Sequence, residues 1–187
     1  MSKLRVHNLV VSLDGYATGE GQSLEAAFGH AQREFMEWFG KLRIWRGLLP
    51  DGKLGADEAI ASAWGTAIGA EIMGRNKFRP TTGPWPEDGW RGWWGEDPPF
   101  HTPCFVMTHY EREPITAGDL DVRLGGGPTT INEFLAAGLV DYLHVVQVPI
   151  ALGRGVRLWD GLDGLHERYS IATVTVPSGA THLFFTR

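Results

Sequence analysis

The sequence predicts an α/β fold: a mostly parallel central sheet with helices on both faces and a C-terminal antiparallel hairpin. Three observations predict it. Residues 4–13 (LRVHNLVVSL) form a strand whose near-continuous apolar end suits a central place in a sheet covered on both faces. Residues 121–124, 130–137 and 141–150 read as strand, short helix closed by Gly138, and strand rich in β-branched residues, a compact βαβ unit. Residues 168–176 and 181–186, joined by Pro177-Ser178-Gly179, form a closing antiparallel hairpin.

The remaining elements follow from spacing. After a loop over 14–21, apolar residues fall at Leu24, Ala27, Phe28, Ala31, Phe35, Trp38, Phe39, Leu42 and Trp45, steps of three and four that predict one long helix. A turn over 47–55 leads to a shorter helix opened by Asp57, and then to a strand over 70–73. Six of the eleven prolines and four of the eight tryptophans crowd into residues 79–103, which predicts an ordered aromatic loop or lid rather than a helix or central strand. A strand over 104–108 follows.

Composition bounds the function. A chain of 187 residues with 43% hydrophobic content is long enough for one buried core, so 1–187 is read as a single domain. A net charge of −5, with no block of Lys or Arg, argues against nucleic acid or an anionic membrane as partner. The apolar run over 9–13 is too short for a signal segment or a membrane span, and the single Cys104 precludes an internal disulfide framework, so a cytoplasmic setting is expected. No set of Cys and His has zinc-site spacing, and no metal is expected.

The chemistry-bearing features are two glycine-containing turns. Gly125-Gly126-Gly127 precedes Pro128-Thr129-Thr130 at the start of the predicted helix. Glycines without a Cβ let backbone N–H groups close on an anion at a helix N-terminus; the alternative is a tight turn that permits close helix–strand packing. The second turn, Gly74-Arg75-Asn76-Lys77, ends another apolar strand and carries two cations, so it is a second candidate phosphate site or a pair of solvated charges.

These motifs carry a resemblance. Ser12-Leu13-Asp14-Gly15-Tyr16, then IMGRNKF over 72–78, GGGPT over 125–129 and AAGLVDYLHVVQVPIALGRG over 136–155 are similar, in order and from end to end, to the dihydrofolate reductase-like superfamily, in the branch of the RibD C-terminal domain of riboflavin biosynthesis. The resemblance implies a dihydrofolate reductase-like fold, NADPH as cofactor, and a homodimer acting on a small-molecule substrate. It implies that Gly125, Gly126, Gly127, Pro128, Thr129 and Thr130 hold the pyrophosphate, and that Gly74, Arg75, Asn76 and Lys77 hold the cofactor's 2′-phosphate. Asp14 falls in the loop on the nicotinamide side. There it would orient the carboxamide or substrate, relay a proton if burial raised its pKa, or simply close an Asp-Gly turn. Glu34 and Glu37 are candidates for the acid on the first helix that holds a heterocycle, and helix phase does not choose between them. Trp85 and Trp90 in the aromatic lid are candidates to stack a flat substrate, or else to plug the sheet or a dimer interface.

The chain departs from the family in two places. Many biosynthetic riboflavin reductases carry Glu immediately before Gly-Gly, where this chain has Gly125. The family also has an additional strand and crossover helix between the strand ending at Thr108 and the one beginning at Asp121, where this chain offers only twelve residues. That stretch is read either as a true deletion or, preferentially, as a segment omitted near Ala117 and Gly118. The expected activity is NADPH-dependent hydride transfer to a small heterocyclic or carbonyl metabolite, the best named substrate being 5-amino-6-(5-phosphoribosylamino)uracil. The alternatives are dihydrofolate reduction and a non-catalytic protein that binds NADPH or a metabolite.

Overall fold

A computed structural model of the chain describes residues 2–39, 56–81, 83–86, 100–109 and 120–187. Seven strands form the main sheet: β1 (Leu4–Val11), β3 (Ile68–Gly74), β4 (Cys104–Met107), β5 (Asp121–Leu124), β6 (Tyr142–Gln147), β8 (Ser170–Thr175) and β9 (Thr181–Thr186). Their order is β4-β3-β5-β1-β6-β9-β8; the first five run parallel, and the β6–β9 and β9–β8 pairings are antiparallel. A small ribbon pairs β2 (Tyr16–Thr18) with β7 (Val156–Arg157). The parallel sheet with an antiparallel C-terminal edge, and the central place of β1, are as the sequence predicts. The βαβ unit is corrected in one respect: β5 and β6 are not neighbours, because β1 lies between them.

Helices cover both faces. On one, α4 (Pro128–Ala136) and α5 (Leu165–Arg168) bury Ile131, Leu135 and Leu165 against Val6, Leu143, Val145 and Phe185. On the other, α1 (Gln32–Phe39) and α2 (Ala56–Ala61) bury Phe35, Trp38 and Ala61 against Val10, Val146 and Val148. Successive β6 residues point to opposite faces, so Leu143 and Val145 serve the first core while Val146 serves the second. No helix among the described residues is long and apolar enough to cross a membrane.

Two boundaries differ from expectation for identifiable reasons. The long helix predicted from Leu24 begins only at Gln32, after a single 3-10 turn over Gly29–Ala31. Gly29 has φ +57, which a right-handed helix does not accommodate, and backbone bonds from Gly19 to Phe28 and from His30 to Glu20 tie 24–28 into a loop. Its expected continuation over 40–45, and the turn over 47–55, lie outside the described residues. The α4 helix starts two residues earlier than expected because Pro128, with φ already set and no N–H to leave unpaired, occupies its first turn. The stretch around 117–118, where an omitted segment is expected, also lies outside the described residues.

A polar seam crosses the α2 face. His144 Nε2 lies 2.9 Å from His182 Nδ1, and His182 Nε2 lies 3.1 Å from the Asp57 carboxylate at the start of α2. Both imidazoles are buried. Burial, reinforced by His182 and His7, pushes His144 down from 6.5 to about 3. The unfolded chain therefore takes up a proton near pH 6.5 that the native His144 refuses, and stability falls as pH drops from there toward 3. Urea unfolding should show this group removing about 2 kcal/mol by about pH 5, with a smaller loss in His144→Leu.

Candidate active site at the carboxyl ends of β1, β3 and β5

Three adjacent parallel strands, β3, β5 and β1, end on the same side of the sheet. The segments that leave them are the three motif segments of the sequence: Gly74–Lys77, which opens the short helix α3 (Arg75–Phe78), the glycine turn Gly125–Gly127 that leads into α4, and Ser12–Gly15 ahead of β2. Carboxyl ends of parallel strands are where open α/β sheets place ligands.

The glycine turn is fastened to the end of β3. Gly125 N–H donates to the Ile72 carbonyl at 2.7 Å, and Gly74 N–H donates to the Gly126 carbonyl at 2.7 Å. A Cβ on Gly74 would stand 2.3 Å from Thr130 Oγ1, so the approach of β3 to the start of α4 requires glycine. The Gly126–Gly127 peptide is cis. Gly127 caps α4 and no side chain bonds the helix N-terminus, leaving the first-turn N–H groups of Thr129 and Thr130 without an intrahelical acceptor. This is a ready anion site. Thr129 is exposed, and Pro128 and Thr130 are half-buried.

Beneath the turn lies a buried ionic cluster that sequence reasoning missed. Glu71 on β3 is fully buried, and Arg123 on β5 grips it in bidentate fashion, Nε to Oε2 at 2.5 Å and Nη2 to Oε1 at 2.8 Å. The Arg123 guanidinium lies 4.3 Å from the Trp64 ring centroid and 4.9 Å from that of Phe100. Glu71 pairs in register with Arg123 on one side and Cys104 on the other. Lys77 reaches in from the β3 turn and donates to the Gly125 carbonyl. Burial pushes the Lys77 ammonium down to about 8, against the opposing pull of Glu71. A Cβ on Gly125 would meet Glu71 Oε1 at 1.9 Å and Lys77 Nζ at 2.8 Å, so the turn rests directly on this cluster. The signal for it was a lone acid inside one apolar strand and a lone base inside another.

The other expected site residues fall as follows. Lys77 turns inward, onto the Gly125 carbonyl. Arg75 lies over the Trp85 ring at 3.8 Å and donates to the Pro84 carbonyl, and Trp85 also meets Phe78 edge-on. Trp85 is thus joined to the Arg75 side of the site. Asn76 is exposed. Trp90 lies outside the described residues.

Asp14 is a loop clamp. Its carboxylate accepts from Ser12 Oγ at 2.6 Å, Leu152 N–H at 3.1 Å and Gly153 N–H at 2.7 Å. Partial desolvation pushes its pKa up, but these bonds outweigh it and hold the group at about 2. That is the reverse of the raised value a proton relay needs, and agrees with the turn-closing alternative for Asp14.

On α1, Phe35 and Trp38 face the sheet, Glu37 is exposed, and Glu34 sits on the flank. Glu34 Oε1 pairs with Arg33 at 3.1 Å, while Oε2 is buried without a hydrogen-bond partner. The structure thus separates two acids that helix phase left equal. A cleft of about 430 Å³ lies between the sheet and residues Trp159–His166, lined in part by Val11, Leu183 and Phe185. None of the glycine-turn residues lines it.

This sheet order, with a helix layer on each face, is a dihydrofolate reductase-like fold. It aligns over 100% of this chain and 99% of the other with the crystal structure of a candidate riboflavin biosynthesis protein from Shewanella sp. PV-4, at 19% identity and a TM-score of 0.57. It also aligns with Acinetobacter baumannii RibD at 14% identity and a TM-score of 0.50, covering 100% of this chain and 58% of that one, so the chain spans little more than half of that protein. A comparison with curated proteins finds no match. Residues 115–177 match the family model of the RibD C-terminal domain, which bears out over that segment the resemblance read from the motifs.

Breaking the buried pair tests its place in the fold. Arg123→Met should cost about 3–5 kcal/mol in urea unfolding because it strands the Glu71 charge, and a Glu71→Met/Arg123→Met double variant should recover most of that loss.

Proposed function

We propose that the protein is an NADPH-dependent reductase that transfers hydride to a small heterocyclic or carbonyl metabolite. The observation that carries this reading is the uncapped start of α4 behind Gly125–Gly127, fastened to the β3 turn that bears Arg75. The first-turn N–H groups at Thr129 and Thr130 would receive the pyrophosphate, and Arg75, held by Trp85, would meet the 2′-phosphate. When bound, the cofactor supplies the hydride; the chain's own part is to bind, orient and shield. Asp14 serves by fixing the loop after β1 against Leu152 and Gly153.

The best named substrate is 5-amino-6-(5-phosphoribosylamino)uracil, on the strength of the RibD C-terminal match. One observation favours dihydrofolate as a second reading: Glu34, on the first helix, has a buried carboxylate oxygen with no hydrogen-bond partner, the kind of acceptor a ring N–H would satisfy. The proposal includes a cytoplasmic homodimer. The edge strand β8 supports the dimer, since its six residues are all exposed and none is charged.

Titration of tryptophan fluorescence should show saturable quenching with tighter binding of NADPH than NADH. Arg75→Ala should weaken NADPH by about tenfold and NADH little, the size of one charge-assisted contact. Consumption of NADPH with either pyrimidine or pterin acceptor then chooses the substrate; binding without consumption of both favours a non-catalytic protein.

A further inference from the structure

Three ties hold the glycine turn to β3, and they differ in kind. Two are backbone bonds, Gly125 to Ile72 and Gly74 to Gly126, which any sequence of this geometry would make. The third is a charged side chain, Lys77, on the Gly125 carbonyl. The peptide that follows this carbonyl is trans, so its C=O and N–H point in opposite directions. Drawing the Gly125 carbonyl inward therefore turns the Gly126 N–H outward, away from the cluster.

We propose that Lys77 is a positioning residue: by holding the Gly125 carbonyl inward it presents the Gly126 N–H to the anion that binds at the turn. This rests on the cofactor reading above and assigns Lys77 to the pyrophosphate end of the dinucleotide, through the backbone, instead of to the 2′-phosphate by direct contact. The surroundings suit that task. Glu71 from β3 and Arg123 from β5 grip one another, and the Lys77 ammonium lies on the Gly125 carbonyl, directly under the turn. Among the described residues, Cys104 from β4 is a further titratable group facing it. Burial, with Glu71 beside it, pushes that thiol up to about 11, so it stays neutral while Lys77 titrates near 8. As pH rises through that value the ammonium becomes a neutral amine, its hold on the carbonyl weakens, and the turn loses its cation.

The test is binding of NADPH and of NADH, by fluorescence quenching, to the wild type and to Lys77→Met from about pH 6.5 to about pH 9.5. For the wild type, affinity for both dinucleotides should fall by about tenfold as pH passes about 8. In Lys77→Met both affinities should be about tenfold weaker at neutral pH, by equal factors, and independent of pH across this range. Loss confined to NADPH would place Lys77 on the 2′-phosphate and overturn the inference, as would unchanged binding in the variant. The wild-type profile alone decides if Lys77→Met does not fold, since a flat profile over this range contradicts it. If the wild type binds neither dinucleotide, the cofactor reading fails and this inference with it; binding by the wild type with an unaltered variant overturns the inference alone.

Discussion

A carboxylate with no access to water sits in the middle of β3, and its charge must be met from within the fold. Glu71 is met by the bidentate guanidinium of Arg123 on the neighbouring strand, itself covered by the rings of Trp64 and Phe100. Such a pair adds little net stability over an apolar substitute, since desolvation offsets most of the Coulombic gain. What it does impose is register and geometry: β3 and β5 align so that the two side chains meet, and the chain leaving β5 must pass directly over them. Gly125 is the consequence, because any Cβ there would overlap Glu71 Oε1. The glycine turn is shaped from below by this ion pair as well as from above by whatever it binds.

The same register brings distant parts of the chain to one edge. Because β3, β5 and β1 are neighbours and parallel, the turn with Arg75, the glycine turn and the Asp14 loop all open on the same side. Each is made rigid by a different device. Backbone bonds join the first two, and Asp14 locks the third by accepting two backbone N–H groups from residues 152 and 153. The Gly153–Gly155 bend also closes on this loop, with Gly155 so near the Thr18 carbonyl that a side chain would not fit. The glycines of this bend are thereby accounted for by packing.

The sheet order was only partly legible in the sequence. Strand β5 and the hairpin of β8 and β9 could be read closely, because Asp121, Pro177 and Gly179 mark their ends. Adjacency of β1 to both β5 and β6 could not, because parallel pairing joins strands that are far apart in the chain and leaves no local signature. The helix expected from Leu24 failed where long-range backbone bonds to Gly19 and Glu20 overrode a good local period. At the site, the glycine turn and Arg75 were visible as motifs. That Lys77 turns inward onto the Gly125 carbonyl was not legible, because a cation after a strand reads as exposed and the cluster beneath it was signalled only by a single Glu in the otherwise apolar strand IGAEIMG.

The central claim is that the turn over the Glu71–Arg123 pair, and not the cleft beside Trp159, receives the dinucleotide. Two-dimensional amide NMR during addition of NADPH tests it most directly. The account predicts that the largest shifts fall on the backbone amides of Arg75, Gly126, Gly127, Thr129 and Thr130. Shifts confined to Trp159, Leu162, Leu165 and their neighbours, with the glycine amides unmoved, would contradict it.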